Sequence, residues 1–270
     1  ILGASNNTAV MTGNITTSGI NSHAVRNIAA NSNTITITGN LSTSGDGSSA
    51  YAIFQGDSNT TIINGNLSTE SVAARPISII EGDSNITTIN GNITATGNAQ
   101  GVWLLNSNNN TTTVTGNIIT SDTGGNAEVI LLEGSDSNTF ILSGAVHSLG
   151  GDQAISVDAN SQNNTFTFKR GVSFIGGLEN NGGTTNKLIF DMGKASSYNI
   201  DFDDTSWTME DASKPIVSGS AKSMGVADID NQAHILYRRM DPINDVLSER
   251  QRLYKEGQRP TGYYIDSYYG

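Results

Sequence analysis

Residues 32–41 read Ser-Asn-Thr-Ile-Thr-Ile-Thr-Gly-Asn-Leu, and residues 58–67 repeat the motif as Ser-Asn-Thr-Thr-Ile-Ile-Asn-Gly-Asn-Leu. The glycine of this motif recurs at intervals of 26, 26, 26, 25 and 28 residues. These glycines are Gly13, Gly39, Gly65, Gly91, Gly116 and Gly144. A seventh copy has Arg170 at the glycine position. A fixed period of this length is typical of a solenoid, in which each repeat stacks on the next.

Two positions of the repeat are apolar in every copy. Two residues before the glycine the chain has Met11, Ile37, Ile63, Ile89, Val114, Leu142 and Phe168. Two residues after it the chain has Ile15, Leu41, Leu67, Ile93, Ile118, Val146 and Val172. Side chains alternate along a strand, so residues two apart share a face. We therefore expect both positions to stack over successive coils and to form the core.

A further strand is predicted in the second half of each repeat. Its copies are residues 50–54, 76–80, 101–105, 128–132 and 154–157. Two or three short strands per coil, in a constant order, predict an all-β fold, a right-handed parallel β-helix with coils of about 26 residues. A leucine-rich repeat would require a leucine spacing that is absent, and an antiparallel sandwich would not keep a constant period.

The glycine and the asparagine after it are predicted to form a corner between two strands. Glycine adopts backbone angles closed to other residues, and asparagine tolerates the left-handed region. The corner asparagines would then stack as a ladder of side-chain amides, formed by Asn14, Asn40, Asn66, Asn92 and Asn117.

A second corner carries the acidic residues Asp57, Asp83 and Asp136. Calcium is one interpretation, because it prefers carboxylate and carbonyl oxygens. Each corner offers a single carboxylate, however, and Asp and Ser are ordinary turn residues. We therefore predict no metal site and no cofactor site.

The charge is low and uneven. Charged residues make up 14% of the chain and the net charge is −11. Residues 1–168 hold 11 acids and two bases, Arg26 and Arg75, a net of −9. Such a region lacks the cluster of positive charges by which proteins bind nucleic acid or anionic lipid. The chain contains no cysteine, which excludes disulfides and a cysteine nucleophile.

Candidates for catalysis are few. Glu81 and Glu133 are predicted to end equivalent strands two coils apart, about 10 Å from each other, and no coil adds a partner carboxylate. His23 and His147 are isolated in the sequence. Sugar hydrolysis uses two carboxylates about 5–10 Å apart. We predict no catalytic residue and no enzyme activity.

Two further surface features have alternative readings. Tyr51 and Trp103 are the exposed aromatic candidates, either for binding a sugar or for packing at a coil edge. Outward threonines, such as Thr36 and Thr113, would suit ice or mineral binding. Isoleucines in the same columns, including Ile62 and Ile141, would interrupt such an array.

After residue 175 the repeat fades, and four segments are predicted. Residues 1–175 form β-helix coils, and 176–225 form irregular coils with a C-terminal cap that covers the open edge. A helical period and several arginines over 226–256 predict a short helical linker, and 257–270 form an aromatic-rich strand.

This order resembles the bacterial autotransporter family (type V secretion), mainly through residues 228–270 with Arg250-Gln251-Arg252 and the final Tyr269-Gly270. The resemblance implies the C-terminal part of a secreted passenger, with an autochaperone-like segment at 176–225. It also implies a linker helix at 226–256 and the first strand of an outer-membrane barrel at 257–270, the rest of the barrel being missing. Asn244-Asp245 lies where some members cut themselves; an asparagine in the first helical turn is the alternative.

The resemblance implies a non-catalytic passenger at the bacterial cell surface or secreted, tethered to or released from the outer membrane. It would act as an adhesin or self-association protein in aggregation, biofilm formation or virulence. Expected partners are a host or bacterial surface ligand, another copy of the chain, and its own barrel. The alternative is a polysaccharide-degrading enzyme, since many lyases and hydrolases use this scaffold. The sequence identifies neither the ligand nor the oligomeric state.

Overall fold

A computed structural model describes residues 1–121, 127–191, 196–198, 207–211, 216–220 and 223–227. Every element in these residues is a β-strand. Three parallel sheets run side by side, and each turn of the chain adds one strand to each sheet over seven turns. The predicted all-β fold, a parallel β-helix with coils of about 26 residues, is confirmed.

The strands are numbered β1 to β26 along the chain. The first sheet contains β1 (Thr8–Thr12), β4 (Thr34–Thr38), β7 (Thr60–Asn64), β10 (Ile86–Ile89), β13 (Thr111–Val114), β16 (Thr139–Leu142), β19 (Thr165–Lys169), β22 (Lys187–Asp191) and β24 (Thr208–Asp211). The second sheet contains β2 (Ile15–Thr17), β5 (Leu41–Thr43), β8 (Leu67–Thr69), β11 (Ile93–Ala95), β14 (Ile118–Thr120), β17 (Ala145–Ser148) and β20 (Ser173–Ile175). The third sheet contains β3 (Val25–Ile28), β6 (Ser49–Phe54), β9 (Arg75–Ile80), β12 (Val102–Leu105), β15 (Ile130–Glu133), β18 (Ile155–Val157) and β21 (Leu178–Asn180). A small antiparallel sheet contains β23 (Ser196–Tyr198), β26 (Ser223–Ala227) and β25 (Ile216–Ser220) in that order.

Both predicted apolar columns face the core. Neighbouring strands place each column residue opposite its counterpart, as Ile37 lies opposite Ile63. From the second coil onward, the column side chains are at most 1% exposed. Met11 and Ile15, in the first coil, are partly buried and pack against the same cluster. Each fully buried side chain of this size contributes about 1.5–3 kcal/mol, which only stacked coils provide.

One register in the second sheet differs from the prediction. Val146 lies opposite Phe174 and not opposite Val172. Phe174 follows Phe168 by six residues, whereas Val146 follows Leu142 by four. The corner before β20 therefore holds two additional residues, and Val172 is buried within this longer corner.

The third strand of each coil is confirmed, with ends that differ by one or two residues from the predicted ones. Its inward positions complete the core from the third side. The first inward column comprises Val25, Tyr51, Ile77, Val102, Ile130, Ile155 and Leu178. The core is therefore closed by three sheets, and the outward face of the third sheet is left to carry other side chains.

The repeated glycine is required mainly because there is no room for a Cβ atom between successive corners. Gly13 and Gly39 have positive φ angles of 117° and 137°, as the corner prediction expects. At Gly65 and Gly91 the constraint is different, because a Cβ atom would lie 2.1 Å from the glycine carbonyl oxygen of the coil before. Successive corners thus approach too closely for any side chain, which explains why the residue persists where its φ is ordinary.

The predicted corner ladder of asparagines is present and exposed to solvent. Each side-chain oxygen accepts the backbone N–H of the next corner, as Asn14 Oδ1 does from Asn40 N at 2.8 Å. The ladder continues with distances of 2.8–2.9 Å through Asn66, Asn92 and Asn117. It joins coil to coil through side chain and backbone, rather than through amides stacked on one another.

A second asparagine ladder, which we call the buried ladder, was not predicted. Its members from the second coil onward are at most 1% exposed. They are Asn7, Asn33, Asn59, Asn85, Asn110, Asn138, Asn164 and Asn186. Each backbone N–H along the ladder donates to the Oδ1 of the next asparagine at 2.8–3.0 Å. The asparagine of the Ser-Asn-Thr motif thus satisfies buried backbone groups between coils.

The parallel sheets continue past residue 175 through β21, β22 and β24. Trp207 is 5% exposed and meets the ring of Phe166 edge-on at 5.7 Å, which extends the core to this end. Val226 and Ala227, where the helical linker was predicted to begin, lie instead in β26, because their backbone pairs with β23 and β25. The rest of the predicted linker and the strand at 257–270 lie outside the described residues, as does Asn244-Asp245.

Candidate functional site

The two aromatic candidates lie on opposite faces of the third sheet. The expectation that Tyr51 is exposed is wrong: it points into the core and is 0% exposed. Its hydroxyl hydrogen-bonds to Thr61 Oγ1 at 2.6 Å, and burial raises the pKa of this phenol. The prediction failed because Ala50 and Tyr51 are both buried, which breaks simple alternation. Trp103 points outward and is partly buried.

Glu81 and Glu133 are not equivalent, contrary to the prediction. Glu133 lies opposite Leu105, which lies opposite Ile80. Glu81 is the residue after Ile80, so it lies one position beyond the end of β9, and its φ angle is 50°. Gln55 Nε2 donates to Glu81 Oε2 at 2.7 Å, and Trp103 Nε1 donates to Glu133 Oε2 at 2.6 Å. The two carboxylates therefore have separate hydrogen-bond partners.

The acidic corner has a structural role in the fold. Asp57 Oδ1 accepts the backbone N–H of Asp83 at 2.8 Å, and Asp83 Oδ1 accepts that of Asn108 at 2.6 Å. Asp136 Oδ1 accepts the backbone N–H of Gln162 at 2.6 Å. Each carboxylate thus ties one coil to the next. No three histidine, aspartate or glutamate side chains converge within the part of the chain that the structure describes.

The outward threonines of the first sheet are interrupted as the sequence indicated. Thr36 lies opposite Ile62, and Ile62 lies opposite Thr88. Ile141 interrupts the same column three coils further on, opposite Thr113. His147 lies on the second sheet, with Nε2 3.0 Å from Ser173 Oγ, far from the third-sheet position of His23. None of these features forms a convergent site.

The structure does bring together the only two bases of residues 1–168. Arg26 and Arg75 both line a depression of about 60 Å³ on the outward face of the third sheet. We call it the cationic depression, and its principal lining residues are His23, Arg26, Phe54, Arg75, Ser78 and Trp103. No aspartate or glutamate lines it. It is the strongest candidate for a binding site on the described surface.

The floor of the depression consists of small residues. Ala52 and Ser78 lie opposite each other in the column that begins with Arg26 and continues to Trp103. Both are less than 5% exposed. Their small side chains leave space between the larger side chains of Arg26 and Trp103 at the two ends of the column. Ser78 Oγ hydrogen-bonds to Ser49 Oγ at 2.9 Å, which fixes the floor.

One side of the depression is a preorganised cluster around Arg75. Its guanidinium carbon lies 3.9 Å from the centre of the Trp103 ring, a cation–π contact. Arg75 Nε donates to Gln100 Oε1 at 2.6 Å, and Gln100 Nε2 donates to Glu128 Oε2 at 3.0 Å. Burial lowers the pKa of Arg75, whereas the charges of Glu133 and Glu128 raise it. The guanidinium is thereby held in place, and among the residues that the structure describes it forms no ion pair with a carboxylate.

The other side is formed by Arg26 and His23. The Arg26 guanidinium lies over the Phe54 ring at 5.4 Å, and its Nε is buried without a hydrogen-bond acceptor among the described residues. His23 Nδ1 accepts the backbone N–H of Ser49 at 2.9 Å, so the neutral ring carries its proton on Nε2. Burial, and then the positive charge of Arg26, lower the pKa of His23. This side therefore presents hydrogen-bond donors.

The sequence did not predict that Arg26 and Arg75 line the same depression, because they occupy different positions in the repeat. They are 49 residues apart, three short of two 26-residue periods. Arg75 shares its column with Ser49, whereas Arg26 shares its column with Ala52. The one signal in the sequence was that residues 1–168 contain no other arginine or lysine.

Comparisons with known proteins gave no match, whether to a family model, a curated protein or a solved structure. Among the described residues there is no helix of the length and apolarity needed to cross a membrane.

Proposed function

We propose that this chain is the non-catalytic passenger of a bacterial autotransporter, displayed at or released from the cell surface, where it acts as an adhesin or self-association protein. One observation carries the non-catalytic part. Glu81 and Glu133, the two candidate carboxylates, are out of register by one position, and each accepts a hydrogen bond from a different side chain, so they are not arranged as a matched pair.

The adhesive part is supported by the outward surface of the coils. The second sheet presents Thr16, Ser42, Ser68 and Thr94 in one outward column. Thr16 Oγ1 and Ser42 Oγ hydrogen-bond at 3.0 Å. A row of uncharged hydroxyls at one per coil offers hydrogen bonds to a neighbouring rod or to a glycan, without the repulsion that a net charge of −11 otherwise creates. The autotransporter assignment rests on the tail motif at 228–270.

The proposal is tested with the purified chain coupled to beads and with the chain in solution. We expect coated beads to clump or to adhere to bacterial or epithelial cells. Sedimentation velocity then distinguishes self-association from binding to another surface. Uncoated beads and beads carrying an unrelated acidic protein are the controls. A monomeric chain whose beads neither clump nor adhere would contradict the adhesive function.

The alternative, a polysaccharide-degrading enzyme, is tested separately. The purified chain is incubated with neutral and acidic polysaccharides, and new reducing ends and unsaturated products are measured. We expect none above the buffer control. Turnover that is abolished by Glu133→Gln but not by Glu70→Gln would overturn the non-catalytic proposal. Glu70 is exposed and follows β8, at a distance from the third-sheet face.

A further inference from the structure

We propose that the cationic depression binds the acid group of an acidic saccharide, a carboxylate or a sulfate, with Arg26 and Arg75 as its two anchors. The inference rests on the proposed binding function and names the ligand class for that function. It begins from charge. Residues 1–168 have two bases against 11 acids, and both bases line one small depression without any carboxylate among its lining residues.

Neither arginine forms an ion pair within the part of the chain that the structure describes. Among the described residues, the lysines Lys169 and Lys187 form the ion pairs, with Asp191 and Glu210. Arg26 forms none, and its buried Nε has no acceptor there. The Arg26 guanidinium, which is partly buried and has no ion-pair partner among the described residues, therefore favours an external anion, since a charge is costly to bury unpaired. Arg75 already lies in the field of Glu133 and Glu128, and it serves as the second anchor beside Arg26.

The groups that line the depression are complementary to an anion in detail. Arg75 already donates from Nε to Gln100 Oε1 and from Nη1 to Ala73 O at 3.5 Å, so its remaining Nη donors are the ones that can reach a ligand. Together with the planar fork of the Arg26 guanidinium, they match the oxygens of an acid group. His23 adds an Nε2–H donor because its Nδ1 is occupied by Ser49 N–H at 2.9 Å. The volume of about 60 Å³ admits a group of a few heavy atoms, since one water needs about 10–15 Å³ by this measure.

The position on a sheet face favours a saccharide over a peptide. Peptides commonly bind β-structures by adding a strand to a free edge, where backbone groups are available. Here β6, β9 and β12 each have a strand on both sides. β3 is the end strand of the sheet, and residues 1–3 hydrogen-bond along its outer edge. The depression therefore offers side chains rather than a free strand edge. Phe54 and Trp103 also line the depression, each with a guanidinium over its ring. Their remaining apolar ring atoms suit the C–H groups of a sugar that carries an acid group.

The test is calorimetric titration of the purified chain with defined probes. These are tetragalacturonate, its fully methyl-esterified form, a sulfated cellotetraose and poly-L-glutamate. We expect binding of one or both acidic saccharides, and binding at least about ten-fold weaker for the neutral ester, because charge-assisted hydrogen bonds are lost. Tetragalacturonate and sulfated cellotetraose distinguish a carboxylate from a sulfate as the acid group, and a preference for either supports the proposal.

The variants are Arg26→Gln and Arg75→Gln, each expected to weaken binding about ten-fold. Arg26→Lys keeps the charge but not the fork, and we expect an intermediate loss. Arg170→Gln is the matched control: it removes one positive charge at an exposed position outside the depression, and affinity should stay within about two-fold. Circular dichroism verifies that each variant is folded, and Arg26→Lys provides the readout if a glutamine variant is not.

Three outcomes would overturn the inference. The acidic saccharides do not bind, or they bind equally well to Arg26→Gln and Arg75→Gln, or poly-L-glutamate binds more tightly at the same arginines. The first two leave the adhesive function untouched if coated beads still clump or adhere. Cleavage of tetragalacturonate would instead contradict the non-catalytic proposal while supporting the ligand class.

Discussion

The side chain of Asn85 makes three hydrogen bonds at the boundary between two coils. Its Oδ1 accepts Asn59 N at 2.9 Å and Asn59 Nδ2 at 3.0 Å, and its Nδ2 donates to Gly56 O at 2.8 Å. All of these groups are buried, so water cannot replace a lost partner. One asparagine per coil therefore supplies hydrogen bonds to the buried backbone groups of this corner, which removes the free-energy cost of burying them unpaired.

Asn85→Ala is predicted to lower the free energy of unfolding by about 2–4 kcal/mol, because each buried group left unpaired costs about 1–3 kcal/mol. Asn66→Ala is the control. Asn66 is exposed, and water can hydrogen-bond to the Asn92 N–H that its side chain now accepts. Its loss should stay below about 1 kcal/mol. Urea unfolding followed by far-ultraviolet circular dichroism measures both, and equal losses would contradict the distinction between the ladders.

Tyr51→Phe is predicted to destabilise the fold at pH 7 by about 1–2 kcal/mol, because buried Thr61 loses its hydrogen-bond partner. The difference should shrink above pH 10. Burial raises the folded-state pKa of Tyr51 above its unfolded value of about 10, so its contribution is full below that pH and is lost as the pH rises. At pH 11 the gap should be smaller by about 1 kcal/mol. Parallel pH–stability curves for the two proteins would contradict this.

Among the strands, β19 links the repeated coils to their far end. Phe166, on its inward face, stacks on Phe140 with ring centres 5.0 Å apart and meets Trp207 edge-on. Thr167, on the outward face of the same strand, is partly exposed. The two neighbours therefore separate core packing from surface effects within one strand.

Phe166→Ala is predicted to cost about 3–5 kcal/mol through the cavity it leaves, and Thr167→Ala less than about 1 kcal/mol. The fluorescence of Trp207 provides a local measurement, because the loss of Phe166 should expose its ring and shift emission to longer wavelength. Trp103 is the other tryptophan, and Trp103→Phe in both backgrounds isolates the Trp207 signal. An unshifted spectrum would show that Trp207 does not depend on this contact.

The elements could be predicted where the glycine period fixes the register. The columns through Ile37 and Leu41 are buried as expected, since a constant 26-residue spacing places equal positions above one another. The prediction failed where spacing changes within a coil. Val172 was displaced by two extra corner residues, and Glu81 was misaligned with Glu133 by one position.

The site was harder to predict than the fold. Periodicity reports which residues share a column, whereas the cationic depression combines residues from different columns. Arg75 belongs to the column of His23 and Ser49, and Arg26 to that of Ala52. Their proximity depends on the width of the sheet face and on small floor residues, which no repeat spacing records. The buried ladder was visible in the sequence as the constant asparagine of the motif, but its burial was not.

For the molecule as a whole, the period should permit the removal of an entire coil. Deleting residues 60–85, which are 26 residues, puts Ile86 where Thr60 stood, and these two already lie opposite each other. We expect a folded chain with six of seven coils and a urea m-value lower by about one seventh, because m follows the surface exposed on unfolding.

The matched control removes only residues 60–72, half a period. This deletion removes β7 and β8 and puts Ala73 where Thr60 stood, so the third-sheet strand β9 would fall on the first sheet with its buried residues turned outward. We therefore expect no cooperative unfolding transition. Circular dichroism and urea titration compare both deletions with the intact chain. A folded half-period variant, or an unfolded whole-period one, would contradict the view that coils are interchangeable units.

The buried ladder also gives the rod a direction of assembly. Every backbone N–H donates to the asparagine one coil later, so a stack that ends early leaves unpaired donors at its C-terminal side and only spare acceptors at its N-terminal side. Unpaired donors are the rarer and costlier defect. At the last rung, the backbone N–H of Asn186 donates to Gly183 O at 3.4 Å rather than to a later asparagine, while its Nδ2 donates to Asn180 Oδ1 at 2.7 Å. The last coil therefore has its donors paired. If the chain folds from that end toward the first coil, each coil that is added finds the Oδ1 of an asparagine already in place to accept its backbone N–H.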